Sequence, residues 1–406
     1  MGSFIFNKFE PEKCTYCGLC FNKCPVLHLP LAKAIEEMHR LVDGEETEHV
    51  LQKCESCFAC NYICPEEANP AQLILQRWHE KYEKEGMAPY GSYFIPHESK
   101  NFRTYVLERL PSDEKEILKK WEDTSPVEEI FYPGCNIITV PYLTRSRIFD
   151  GYTFRGSLKY CCGEMYLRMG LPEKAVESGL KVKNWLKKMG VKKVTIACTA
   201  GYNMFTNVLP SLGVEMEVEF EHFYPVLLKK LLSGELKVVN PLNLTATIQD
   251  SCYGKIFGDK FLNTVRKILE IIGVKVIDPP KSRHTGLCCG IAGGFSQYSN
   301  FNPLRITIST IRSLRNLTSY QSDIIAVYCA GCLQMLSVGK IVYPTKRKIF
   351  HLLELVQIAI GEEPDRRVDH RARHFLVGTL INQIPLMFKK ERYYVGKIYT
   401  GEDDEV

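Results

Sequence analysis

Two four-cysteine runs of identical spacing constrain this chain more than any other feature. They are "CTYCGLCFNKCP", beginning at Cys14, and "CESCFACNYICP", beginning at Cys54. Each reads Cys-x-x-Cys-x-x-Cys-x-x-x-Cys-Pro. Three thiolates two residues apart wrap three corners of a cube, and the surrounding amides can point at its sulfurs. That is a binding run for 4Fe–4S clusters, in which the fourth cysteine reaches across to the other cluster. One cluster is therefore expected on Cys14, Cys17, Cys20 and Cys64, and a second on Cys54, Cys57, Cys60 and Cys24. Structural zinc prefers separated Cys-x-x-Cys pairs closing one tetrahedron, which two four-cysteine runs ending in proline do not match.

Cysteine is the outlier of an otherwise ordinary composition: 17 cysteines in 406 residues, with 45% hydrophobic residues and a formal charge of +5. The length suggests two to four globular domains. The mild basic excess suits an anionic substrate and is too small to imply nucleic acid. The opening "MGSFIFNKFE" lacks the basic start and apolar run of a secretory leader, and Phe6 stands where a myristoylation site would want Ser or Thr. No apolar stretch reaches the ~18 residues of a membrane span. The longest, "FLVGTLINQIPLMF", contains Asn382 and Pro385. The expected location is the cytoplasm, with membrane association only through a partner. An odd cysteine count without an export signal argues against a disulfide scaffold and for metal ligands or reactive thiols.

Between the runs, Pro30 opens a helix that Gly44 follows, with Leu31, Ile35, Met38 and Leu41 on one face. After the second run, Asn69-Pro70 opens another, with Ile74, Trp78 and Tyr82 in line and Gly86 at its end. Residues 1–86 thus read as a helical two-cluster domain. Residues 87–126 read as a linker with one or two short helices.

The other nine cysteines form two related sets. The first has "FYPGC" (Cys135), "KYCCGE" (Cys161, Cys162) and "VTIACTAG" (Cys198). The second has "IQDSC" (Cys252), "GLCCG" (Cys288, Cys289) and "IAVYCAGC" (Cys329, Cys332). Each set orders a strand-cysteine, a cysteine doublet and another strand-cysteine, then an apolar segment bearing His222 or His351. The repeat implies two similar domains, at 127–238 and 239–361, followed by a tail at 362–406. "EEIFY", "KKVTIA", "TATIQDS", "GVKVIDP" and "DIIAVY" read as strands. Helices alternate with them, after Pro172 and from Asp259, a candidate cap, to Gly273. The expected fold class is α/β, with a doubly wound parallel sheet in each unit. Cys135, Cys198, Cys252 and Cys329 each follow the carboxyl end of a strand, where open α/β sheets gather their sites.

Adjacent cysteines rarely converge on one small ion, whereas an object with several metal atoms can take both. A strained vicinal disulfide is the alternative. The glycines at 290, 293 and 294 let the backbone approach such an object. They lack the G-x-G-x-x-G spacing of a dinucleotide site. A cysteine, then Cys-Cys-Gly, then Cys-x-x-Cys resembles the cysteine-rich (CCG) domain of heterodisulfide reductases. Joined to a two-cluster ferredoxin domain, it is similar to the catalytic subunit of the cytochrome-linked type, and also to the iron–sulfur subunit of glycolate oxidase. The resemblance spans roughly residues 8–360. It implies a noncubane 4Fe–4S cluster on Cys252, Cys288, Cys289, Cys329 and Cys332 that cleaves a disulfide, with electrons arriving singly through two cubanes. It also implies an electron-donating partner: a b-type cytochrome, a flavoprotein or a ferredoxin. Without catalysis at the second unit, the chain would be an electron relay for a hydroxyacid oxidase.

The first unit departs from this pattern, because Gly201 stands where the second has Cys332. Cys135, Cys161, Cys162 and Cys198 remain, enough for a four-ligand cluster or a zinc ion, with an empty site as the third alternative. The spacing from Cys289 to Cys329 is slightly long and reads as a loop insertion. For an anionic disulfide, Lys255 and Arg283 are candidate contacts, weighed against solvated surface charge. His222 and His351 are candidate proton donors, weighed against structural histidines. The tail, with "DRRVDHRARH" and "GEDDEV", is a partner-docking or membrane-touching segment, or a solvated end.

Overall fold

The computed structural model describes residues 8–296, 298 and 301–398. The first seven residues and the acidic end "GEDDEV" lie outside them.

The two-cluster domain is helical. Each cysteine run folds into a loop and a short helix, Leu19–Asn22 and Ala59–Ile63. The longer helices Leu31–Val42 and Pro70–Glu85 support them. In the latter, Pro70 occupies the first turn, where a missing N–H costs nothing. Ile74, Trp78 and Tyr82 are buried on one face. Trp78 anchors that face by donating its indole N–H to the Leu51 carbonyl at 3.1 Å.

Two parallel sheets follow. The first has β1 (Glu129–Tyr132), β2 (Lys193–Ile196) and β3 (Glu219–His222), in the order β1-β2-β3. The second has β4 (Leu244–Gln249), β5 (Val274–Ile277), β6 (Ile324–Val327) and β7 (Lys348–His351), in the order β5-β4-β6-β7. Every pairing in both is parallel; the strand order reverses at β4 in the second sheet, and the parallel bridge of Phe131 to Phe154 gives the same reversal at β1, so each unit is a doubly wound α/β sheet. The helices Pro172–Lys188, Gly258–Ile271, Pro303–Leu317 and Ala330–Val342 make the crossovers. Asp259 lies inside the first turn of Gly258–Ile271 and does not cap it; Phe257 holds the cap position. The edge strands β3 and β7 end on His222 and His351.

Residues 87–126 are more than a connector. Phe94, Phe102, Arg103, Val106 and Trp121 are buried, and Phe102 lies against Phe375 with ring centroids 6.0 Å apart. The tail reading is likewise corrected as far as residue 398. Helix Val368–Gly378 is tied down by Arg371 and Arg367, both paired with buried Glu114. Beyond it, Tyr393 bridges to Met87, and the Ile398 N–H donates to Glu177 Oε2 at 2.7 Å. "DRRVDHRARH" is therefore a strap. Its Arg367 and Arg371 pair with the 104–121 region instead of standing free for a partner.

Candidate metal centres

The cysteine loops of the first domain close by left-handed turns at matching positions. Tyr16 and Gly18 flank Cys17 with φ of 56° and 68°; Ser56 and Phe58 flank Cys57 with φ of 41° and 61°. A non-glycine residue held there costs about 1–3 kcal/mol, a strain that clusters at ligand-holding sites. Gly18 has a further reason: a Cβ there would lie 2.7 Å from the Ile35 nitrogen. The turns aim the sulfurs inward. One cavity is lined by Cys14, Cys17, Cys20 and Cys64. A second is lined by Cys24, Cys54, Cys57 and Cys60. The fourth cysteine of each run thus stands with the first three of the other. Backbone N–H groups meet the sulfurs: Leu27 on Cys24 at 3.4 Å, Ser56 on Cys54 at 3.2 Å and Ala68 on Cys64 at 3.4 Å.

Donor chemistry and spacing both fit clusters here. The sites offer thiols and amide N–H groups, the donors that suit iron and inorganic sulfide. Among the described residues, no three cysteine sulfurs lie mutually within 4.8 Å. One tetrahedral zinc would need sulfurs about 3.8 Å apart, given its Zn–S bonds of about 2.3 Å. Burial pushes the Cys20, Cys54 and Cys60 thiols well above their ordinary range, with neighbouring thiols adding to the rise. Metal charge is what would hold such a set as thiolates.

In the second unit, Cys252 follows β4, and Cys329 follows β6 at the start of helix Ala330–Val342, which carries Cys332. The doublet comes from the loop 286–290. The five thiols interact in sequence, Cys252 with Cys288, Cys288 with Cys289, Cys289 with Cys332, and Cys332 with Cys329. The flanking Cys288 and Cys332 thiols pull Cys289 down to about 6. The Gly290 N–H points at Cys288 Sγ from 3.4 Å. Gly290 has φ of 115°, and a Cβ there would strike Thr310 Oγ1 at 2.0 Å. That glycine lets the doublet loop lie on helix Pro303–Leu317.

The first unit repeats the plan with four thiols. Cys135 interacts with Cys161 and Cys161 with Cys162, while Cys198 faces Cys135. The two sites adjoin: Cys198 and Cys329 feel each other's charge, and Thr199 Oγ1 lies 3.3 Å from Ser251 Oγ.

Other side chains read from sequence are placed differently. Lys255 is wholly buried and donates to the Gly286 carbonyl at 2.7 Å, so it faces protein and not an open cleft. Arg283 is engaged by Asp278 at 3.3 Å and Asn263 at 2.9 Å. His222 and His351 are buried helix caps whose Nδ1 atoms accept from Tyr224 N and Leu353 N. Burial holds both down to about 3, so they stay neutral. Two residues are missed by sequence reasoning. Arg103 is buried with Met165 Sδ at 3.2 Å and faces Cys135 and Cys161. Arg168 reaches Cys252. The only sequence signal for the latter is its Glu164 partner four residues earlier, directly after the first "CCG".

The fold and these thiol sets define an iron–sulfur protein with a two-cluster helical domain and two α/β cysteine-rich units. Residues 6–65 match the family model of the 4Fe-4S dicluster domain, and residues 246–337 that of the CCG cysteine-rich domain. Three curated relatives match over most of this chain. The "EtfAB:quinone oxidoreductase" of Syntrophomonas wolfei is 27% identical over 80% of this chain and 43% of its own length. A component of the dihydromethanophenazine:CoB–CoM heterodisulfide reductase of Methanosarcina barkeri is 26% identical over 78% of this chain and 80% of its own. The "Probable iron-sulfur-binding oxidoreductase FadF" of Bacillus subtilis is 31% identical over 82% of this chain and 44% of its own. The chain thus spans less than half the length of two of these relatives. It joins a 4Fe–4S dicluster domain to a CCG cysteine-rich domain, and in this it is similar to the heterodisulfide reductase component and the EtfAB:quinone oxidoreductase. No helix among the described residues is long and apolar enough to cross a membrane.

Proposed function

We propose that this protein reduces a disulfide at its second cysteine-rich unit. The observation that carries the reading is the convergence of buried Cys288, Cys289 and Cys332 with half-buried Cys252 and Cys329 beside the two-cluster domain. Phe58, between Cys57 and Cys60, has its ring centroid 5.5 Å from that of Tyr253, next to Cys252. The reaction takes two electrons and two protons: one S–S bond breaks and two S–H bonds form. When bound, the clusters supply single-electron transfer, and the second unit's noncubane 4Fe–4S cluster supplies iron at which an S–S bond opens. Cys14, Cys17, Cys20 and Cys64 hold one cubane, and Cys24, Cys54, Cys57 and Cys60 the other. Cys135, Cys161, Cys162 and Cys198 hold a further iron–sulfur cluster in preference to a zinc ion, because no three of their sulfurs lie mutually within 4.8 Å. The neutral, helix-capping His222 and His351 take no part in proton delivery. A redox partner supplies the electrons: a b-type cytochrome, a flavoprotein or a ferredoxin. Any membrane association runs through that partner.

A second reading is favoured by the relatives named for EtfAB:quinone oxidoreduction and as FadF. There the chain relays electrons within a flavin-linked complex and does not itself open a disulfide. Anaerobic assay with a reduced viologen against a panel of disulfides, the CoM–CoB heterodisulfide included, separates the two. Turnover is expected. Its absence in protein of full iron content favours the relay.

A further inference from the structure

Three parts of the molecule meet at one buried arginine. Arg168 ends the short helix Glu164–Arg168 of the first unit and is 3% exposed. Both its terminal nitrogens stand 3.6 Å from Cys252 Sγ, the first thiol of the second unit. Its guanidinium carbon lies 4.8 Å from the Tyr253 ring centroid and 5.5 Å from that of Phe58. Phe58 belongs to the two-cluster domain. Glu164 accepts from Arg168 Nε at 2.6 Å. The carboxylate therefore holds the Nε side of the fork, while the Nη side faces the sulfur. A second buried cation, Lys255, also acts on Cys252. In the two-cluster domain, Cys24, Cys54 and Cys64 are met by backbone N–H groups, which are dipoles and not full charges.

We propose that Arg168 is a redox-positioning residue whose fixed positive charge on Cys252 raises the reduction potential of the second unit's cluster, making that unit the electron-accepting end of the chain. The inference rests on the reading that Cys252, Cys288, Cys289, Cys329 and Cys332 hold a cluster. Reduction adds one negative charge to that cluster. A unit cation a few ångströms away, at an effective permittivity of ~20, favours the reduced form by more than tenfold. Glu164 offsets part of this, because its charge is close but on the far side of the fork. Phe58 and Tyr253 are both buried around the guanidinium and keep water from screening it. Arg168 also closes the gap between the Phe58 loop and Cys252, so one side chain sets both the spacing and the field at this junction.

The test is a redox titration of the anaerobically purified holoprotein, followed by electron paramagnetic resonance. The second unit's signal is identified as the one lost in Cys288→Ala. Arg168→Gln should lower the midpoint of that signal by at least tenfold in the one-electron equilibrium, which is about 59 mV. The cubane midpoints should stay in place. Arg168→Lys should restore most of the shift, and Glu164→Gln should move the same signal upward. A second-unit signal whose midpoint is unmoved in Arg168→Gln and Glu164→Gln, or moves in step with the cubanes, overturns the inference and leaves the cluster reading standing. A protein in which Cys288→Ala removes no signal overturns that reading and the inference with it.

Discussion

The two cysteine-rich units place their thiols on the same strand ends in the same order, and they differ by one thiol in the last motif. Cys198-Thr199-Ala200-Gly201 in the first answers Cys329-Ala330-Gly331-Cys332 in the second. The difference is not forced by space. A Cβ on Gly201 would meet nothing closer than 3.8 Å, ordinary contact with Cys198, Ile196 and Tyr132. Gly331 is the tight one: a Cβ there would lie 2.8 Å from Asn136 Nδ2 of the first unit. The cations differ too. Arg103 faces the first thiol set, while Arg168, although part of the first unit, reaches across to Cys252. The duplicated scaffold thus keeps one plan and lends side chains from the first unit to the second. That asymmetry is what the reading of the second unit as the reactive one predicts.

The largest effect should come from the thiols of the second unit. Cys288→Ala or Cys332→Ala is expected to abolish viologen-driven disulfide turnover while both cubane signals remain. Removing a direct ligand should exceed the ~10–100-fold cost of removing a group that only supports one. Cys161→Ala, the matching change in the first unit, should leave measurable turnover. Equal loss in both would break the comparison. Loss of the cubane signals in Cys288→Ala would sink the division of labour between domains. Gly201→Cys sharpens the comparison from the other side. It restores a fifth thiol where a side chain has room, so the first unit's iron content and spectrum should move toward those of the second. Unchanged iron and spectrum would show that the first site is closed by its four thiols.

Much of this architecture is legible in the residues alone, and the reason is local. The cysteine runs, Pro30, Asn69-Pro70 and the β-branched stretches at 193–196, 244–249 and 324–327 carry their own geometry in their spacing. Strands β3 ("EFEH") and β7 ("KIFH") do not show, because four-residue edge strands with charged or polar ends have too little apolar pattern to stand out. The 87–126 and 362–398 segments read as a linker and a tail because their burial comes from each other, through contacts such as Phe102 on Phe375 and Arg371 on Glu114. Lys255 looks like a substrate contact from its place three residues past Cys252; the fold turns it inward onto the Gly286 carbonyl instead. Arg168 is invisible for the same physical reason. A buried cation aimed at a thiol 84 residues away has no local signature.

The two histidine caps offer a smaller, pH-dependent test of likeness between the units. His222 and His351 are each held down to about 3 by burial, below the ordinary value near 6.5. The unfolded chain therefore binds protons at these sites as pH falls below about 6.5, and the folded chain does not. Stability is full above that pH and declines as pH drops toward 3. At a pH of about 5.5 the loss is about 1 kcal/mol for each histidine. Denaturant unfolding at about pH 7.5 and about pH 5.5 should show a shallower decline in His222→Gln and in His351→Gln, by similar amounts. A change in only one variant would mean that the two caps are not equivalent.

The smallest effect distinguishes the units by packing alone. Gly331→Ala puts a methyl 2.8 Å from the Asn136 amide, which is packed between the two sites. Asn136 is held by neighbours on both sides: its Oδ1 lies 3.4 Å from Arg103 Nη2, and its carbonyl accepts from Gln334 Nε2 at 2.8 Å. It cannot swing away without loosening one of them. Overpacking of this kind costs about 1–3 kcal/mol. Ala200→Gly, the reciprocal change in the first unit, removes one methyl from a half-buried helical position and should cost at most about 1 kcal/mol. Unfolding of the two variants at neutral pH measures the difference directly. A larger loss in Gly331→Ala confirms that the units press together at the second unit's last motif. Equal losses would place the close approach elsewhere and leave Gly331 serving no more than its own helix.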